Sequence, residues 1–212
     1  MKGIRFGDLH SYDDLKMILS GKDMGAPAVK SMKLDIEGAD SALDLTDFFG
    51  EPKYEDVTHK FQFSTIVPCS EFMTLYSRIK NAIHGKKMRI ILDDDPLFYW
   101  MGRIYVSGFT NEKSIGQVEV ECDCEPYKYK LTKTTVTRAV NGTDIIVLTN
   151  GRKRAVPEIT TTGAMTIEYG GGSWALSAGS YTIPELELTQ GDNLVTVKGT
   201  GTITFTWQEG DL

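Results

Sequence analysis

Along most of this chain apolar residues recur at every second position, and that spacing restricts the fold more than any other feature. Phe61 and Phe63 alternate with Gln62 and Ser64, and Phe98, Trp100, Gly102, Ile104 and Val106 continue the period. Near the end, Ile203, Phe205 and Trp207 alternate with Thr202, Thr204 and Thr206. A period of two puts alternate side chains on opposite faces of an extended strand, so the chain is predicted to be mainly β. Met32, Leu34 and Ile36, interleaved with Lys33, Asp35 and Glu37, predict one more such strand. Ser11-Tyr12-Asp13-Asp14 has the pattern of a capping box, but Leu15, Met17 and Leu19 alternate, so a turn followed by a strand is expected there. One segment has a helical period. Phe72, Leu75, Ile79 and Ile83 fall on one helix face, with Ser70 placed to cap the start and Gly85 to end it. Lys80, His84 and Lys86 near that end suit the helix dipole. The prediction is a single amphipathic helix packed on a sheet.

Glycine usage divides the chain. Ten of the 21 glycines lie in the first 140 positions, and eleven fall between Gly142 and Gly210. Val140-Asn141-Gly142-Thr143-Asp144 and Asn150-Gly151-Arg152-Lys153-Arg154 read as turns bracketing a short strand, Ile145-Ile146-Val147-Leu148. The expected organisation is an N-terminal β-sandwich-like domain with the helix, residues 1–140, followed by a small antiparallel β-sandwich, residues 141–212. In the second, Met165–Tyr169 runs into the turn Gly170-Gly171-Gly172. Asn193–Lys198 is expected to meet Thr202–Trp207 across a turn at Gly199-Thr200-Gly201.

Charge is divided too. Up to Arg154 the chain carries 22 basic and 22 acidic residues, whereas from Ala155 onward Lys198 stands against seven acids. The whole net charge of −6 therefore sits in the last stretch. An acidic module repels phosphate backbones, which argues against nucleic acid as a partner. No apolar run reaches the roughly 18 residues of a membrane span, and no membrane insertion is expected. Met1-Lys2-Gly3-Ile4-Arg5-Phe6-Gly7-Asp8 lacks the apolar core of a signal peptide, which predicts folding in a cytoplasm. Cys69, Cys122 and Cys124 are too few for a disulfide framework and are expected to be reduced thiols.

Three groups of residues invite a chemical reading. Cys122-x-Cys124 would form a metal site only if two of Cys69, His59 and His84 converged on it. Val118, Val120, Cys122 and Cys124 share one strand face, so the simpler expectation is that both thiols are small core residues. Asp93-Asp94-Asp95-Pro96 follows an apolar strand and reads as a solvated turn, since a cation site would spread its carboxylates around a loop. His10, His59 and His84 belong to no recognisable nucleophile motif, and His84 is accounted for by its helix end. No catalytic residue, metal ligand or cofactor-binding residue is assigned. Trp174, Tyr181, Tyr169 and Trp207 could stack on sugars if exposed, but a small sandwich needs them inside.

The order of several segments resembles the distal tail proteins of siphophages and related tail-like bacteriocins. Ser11-Tyr12-Asp13-Asp14-Leu15 is similar to the family's opening turn and strand. Ile36-Glu37-Gly38-Ala39-Asp40 with Leu43-Asp44-Leu45-Thr46 is similar to its glycine-centred segment. Asp94-Asp95-Pro96-Leu97-Phe98-Tyr99 resembles its D-D-P-x-x-Y turn, and Gly102-Arg103-Ile104 its following strand. Cys124-Glu125-Pro126-Tyr127-Lys128-Tyr129 resembles its C-x-P-Y-K-Y close. Ile183-Pro184-Glu185-Leu186 and Gly191-Asp192-Asn193 resemble the sandwich ending. Glu37 and Ala39 stand where the family often has proline and arginine, so no role of that arginine carries over. The resemblance implies a non-enzymatic virion component of a phage or prophage tail, assembled in the host bacterial cytoplasm. It implies a homohexameric ring, with the tail tube protein on one side and tail tip or baseplate proteins on the other. The alternative reading is a carbohydrate-binding module, with a surface glycan as partner. A hydrolase or metalloenzyme would rest only on Cys122, Cys124 and the aspartate run.

Overall fold

The structure, a computed structural model, describes residues 3–48, 50–65, 67–112 and 115–212, with the Glu112 side chain left out. Met1 and Lys2 of the N-terminal octapeptide therefore lie outside the described residues. The chain divides into two compact units, Met1–Lys128 with Leu212, and Tyr129–Asp211. It is mainly β with antiparallel pairing throughout the recorded registers.

The first unit contains β1 (Ile4–Phe6), β2 (Leu9–His10), β3 (Met17–Met24), β4 (Lys33–Leu34), β5 (Leu43–Asp44), β6 (Val57–Thr65), α1 (Phe72–Ile83), β7 (Lys87–Leu92), β8 (Phe98–Glu112) and β9 (Ile115–Lys130). Its main sheet runs β2-β1-β7-β8-β9-β6-β3, while β4 and β5 form a separate hairpin. The turn expected at Ser11–Asp14 is present, and β3 begins at Met17. The period of two in β6 decides its inner face: Val57, His59, Phe61 and Phe63 are buried opposite Cys124, Cys122, Val120 and Val118 of β9. The α1 stripe of Phe72, Leu75, Ile79 and Ile83 is buried, and the last three join that core. Full burial of each such side chain contributes about 2 kcal/mol.

The helix start differs from expectation. Ser70 lies inside a 3-10 turn, Cys69–Glu71, and no side-chain hydrogen bond caps α1. The Glu71 N–H donates to the Pro68 carbonyl at 2.9 Å. This turn uses the backbone to tighten the entry where the sequence pattern expected a serine hydroxyl.

The second unit contains β10 (Thr134–Asn150), β11 (Glu158–Thr161), β12 (Met165–Tyr169), β13 (Gly172–Leu176), β14 (Gly179–Thr182), β15 (Gly191–Trp207) and β16 (Gly210–Asp211). Two predicted turns prove to be strand interior. Val140–Asp144 lies within β10, and Gly199-Thr200-Gly201 lies within β15, where the expected hairpin is absent. The two segments face each other, with Val140 opposite Gly201 and Gly142 opposite Gly199. Gly142, Gly199 and Gly201 have φ of 95°, 145° and 141°, a region open to glycine but costly for other residues. Matched glycines thus let both strands bend together without ending. At Gly199 a Cβ would also meet the Ala164 carbonyl oxygen at 2.6 Å, so β12 can approach only because that side chain is missing. The core between these strands holds Ile146, Leu148, Ile159, Ile167, Val195, Val197, Ile203, Phe205 and Trp207, all nearly inaccessible.

A close approach in the first unit gives a direct test. A Cβ on Gly102 of β8 would lie 2.5 Å from Cys124 Sγ and 2.9 Å from the Asp123 carbonyl oxygen of β9. Gly102→Ala is expected to destabilise the first unit by about 1–3 kcal/mol, read from a lowered denaturant midpoint with little change in slope.

Candidate functional site

Cys122 and Cys124 lie on the inner face of β9 and are fully buried. Burial pushes the Cys122 thiol well above its ordinary value, and neighbouring Cys124, Asp123 and Glu121 push the same way. Burial likewise takes Cys124 up to about 12. Neither is a thiolate at neutral pH, and the thiolate is both the nucleophile and the metal ligand. Cys69 lies in the exposed 3-10 turn. Among the described residues no three His, Cys, Asp or Glu side chains are grouped to hold a metal.

Of the residues that would have had to converge on the cysteines, His59 alone is paired with one, opposite Cys122. It is buried edge-to-face against Trp100 at 5.3 Å, and neither ring nitrogen has a hydrogen-bond partner. Burial lowers its pKa, partly offset by Asp23. His84 does more than sit at a helix end: its Nδ1 accepts a hydrogen bond from the Val106 N–H at 3.0 Å, tying α1 to β8.

The three aspartates turn to different partners. Asp93 accepts from the Gly3 N–H at 2.7 Å and lies 3.0 Å from His10 Nε2. Burial alone would raise its pKa, but those hydrogen bonds, with His10 and Arg5 nearby, hold it below the ordinary value. Asp94 is ion-paired with Lys22, and Asp95 with Lys128 at 2.9 Å. Pro96 and the turn hold the carboxylates apart, each pinning a different part of the unit.

The aromatic residues of the second unit do not make a common exposed platform. Trp207 is 2% exposed and donates through Nε1 to Asn150 Oδ1 at 3.1 Å. Tyr169 donates to Asn193 Oδ1 at 2.7 Å, and Trp174 covers Gly172. Tyr181 is half-buried opposite Ile159.

The feature that most needs a partner was not singled out as a site by the sequence pattern. None of the described residues from 25 to 56 is buried, yet the segment carries Val29, Met32, Leu34, Ile36, Leu43 and Phe48. Each of these is about half exposed or more, with Phe48 at 71%. The strand predicted from Met32 to Glu37 shrinks to the two residues of β4, paired with β5 through Lys33 opposite Asp44 and Leu34 opposite Leu43. Side-chain bonds brace the hairpin: Thr46 Oγ1 accepts from the Met32 N–H, and Asp44 Oδ1 from the Thr46 N–H. A two-stranded ribbon without a core is marginal in water. Several exposed apolar side chains on one segment are what a protein–protein interface presents before assembly. The arm is therefore the candidate site.

No protein-family model matches the chain, and no curated protein matches it. A solved structure does. The Dit (gp 19.1) protein of phage SPP1, described as a paradigm of the hub adsorption apparatus in phages that infect Gram-positive bacteria, aligns over 100% of both chains. The TM-score is 0.72 at 13% identity. The chain has the fold of a phage adsorption hub. The resemblance carried by the motifs is met by the backbone along its whole length. Several of those motifs sit at turns and strand ends of this fold: the Ser11–Asp14 turn, the β4–β5 tip at Gly38, the β7–β8 turn and the close of β9, while Gly102-Arg103-Ile104 lies inside β8.

Buried His59 predicts a pH effect. Its folded pKa lies below the ordinary imidazole value, so unfolded chains bind the proton more readily. Stability is then expected to fall as pH drops through the region just below about 6.5, and to be regained on raising it. His59→Phe should flatten the loss of melting temperature between pH 7.5 and 5.5. Asp93 acts in a lower window, because stability from a depressed carboxylate is lost only as pH falls through its folded pKa.

Proposed function

We propose that this chain is a structural subunit of a phage or prophage tail, a distal tail protein whose copies close into a hexameric ring. The observation that carries the reading is the end-to-end likeness of its fold to a phage adsorption hub. In this role one face of the ring meets the tail tube protein, and the other meets tail tip or baseplate proteins. The subunit works by shape and contact, without catalysis or a cofactor. Assembly takes place in the host bacterial cytoplasm and the finished location is the virion tail.

The arm supplies a physical reason for closure. Its apolar side chains gain about 25 cal/mol for each Å² they remove from water, and a neighbouring copy offers that cover to every subunit at once. A cyclic arrangement leaves no arm uncovered. Ring formation is assigned to the N-terminal domain, which carries the arm. Residues 155–212, where seven acidic residues stand against Lys198, are assigned to the rim, where that charge stays solvated. No described helix is long and apolar enough to cross a membrane. The glycan-binding alternative rests on exposed rings, and Trp207 is held inside the module.

Leu34, Ile36 and Phe48 are exposed, so replacing all three with serine is expected to leave the melting temperature nearly unchanged while abolishing the closed oligomer. Native mass spectrometry of the full chain at high concentration reads both species. An oligomer that persists unchanged in the triple variant would overturn the role given to the arm. A wild-type chain that stays monomeric both alone and with its tail tube protein would overturn the ring.

A further inference from the structure

Strand β10 has 17 residues, where about five or six is common. One of its edges is paired with β15 over the full length. Among the described residues no strand pairs with its other edge. Thr137, Arg138 and Ala139 are all exposed, and so are Asn141, Gly142 and Thr143. A strand covered on one face would hide every second residue, so this central stretch is open on both faces except at Val140.

Proteins usually guard such an edge with proline, lysine or a scatter of charge. β10 has no proline and no lysine, and its only charged residues are Arg138 and Asp144. They have opposite signs and lie symmetrically about Asn141. We propose that two copies of the chain join through the free edges of β10, paired antiparallel on a twofold axis at Asn141.

Three consequences of this register support it. Arg138 of each copy falls opposite Asp144 of the other, on the same face, making two ion pairs from the only charges present. Shifting by one two-residue step either way places Arg138 opposite Gly142 or Ile146 and leaves both charges alone. The same register lays Thr135 and Thr137 of one copy against Val147 and Ile145 of the other, and these two apolar residues are 47% and 61% exposed in the single chain. Threonine beside β-branched apolar residues is a favourable cross-strand pairing. The outward N–H and C=O groups of β10 gain ladder partners, and Asp144, whose Oδ1 accepts from the Ile145 N–H at 2.9 Å in the single chain, turns to Arg138 of the other copy. The inference stands apart from the ring, which concerns the other unit.

The test uses the full chain carrying Cys69→Ser, which removes its exposed thiol. Asn141→Cys places one thiol from each copy on the proposed axis and is expected to give a disulfide-linked dimer on a non-reducing gel. Thr143→Cys, which faces Ala139 in this register, is expected to give none. In analytical ultracentrifugation Arg138→Asp and Asp144→Arg are each expected to weaken pairing by about tenfold, and the double exchange to restore it. Absence of the Asn141→Cys crosslink overturns the proposal, as does equal crosslinking at Thr143→Cys. So does a double exchange that stays as weak as the single ones, or an edge that accepts another protein's strand and never a second copy.

Discussion

β10 and β15 pair end to end, from Thr134 opposite Trp207 to Asn150 opposite Gly191, and the second unit hangs on that ladder. β11 and β12 attach to the far edge of β15, β14 attaches to β11, and β13 to β12. All four lie between the two long strands in sequence, so the central pairing is non-local and its loop must close before the core can form. The first unit repeats the arrangement. β6 meets β9 across α1, β7 and β8, and the inward residues of both become a core only in that register. A slip by one residue would turn Phe61, Phe63, Val118 and Val120 out to water.

This constraint also decides the chemistry. The period that buries Phe61 and Val120 buries His59, Cys122 and Cys124 beside them, and burial keeps both thiols protonated. The sequence feature that looked most like an enzyme is thus part of the packing. The aspartate run is similarly absorbed, since the β7–β8 turn sends its carboxylates to Gly3 and His10, to Lys22 and to Lys128.

Local period was legible wherever one face of an element is buried. The alternation in β6 and β9 and the stripe on α1 are seen in the structure as read, because burial selects those residue types. Glycine was where the reading failed. Asn141-Gly142 and Gly199-Thr200-Gly201 each look like a turn alone, and only their pairing shows that they bend two strands together. The alternation of Met32, Leu34 and Ile36 was also misleading, since both faces of the arm are uncovered and no core selects between them. Without a core to select a face, the period gives no sign of which face a partner would take.

The arm and the free edge of β10 are both features that a solitary protein would avoid, and they lie in different units. The chain also shares its fold end to end with the SPP1 Dit protein, and the proposed role in an assembly would use both features. The most direct measurement is immunogold electron microscopy of particles from cells that carry the gene, with antibodies against the purified chain. Gold clustered at the end of the tail farthest from the capsid is the predicted result. Particles with intact tails that carry no label, while the chain remains free in the lysate, would contradict the account.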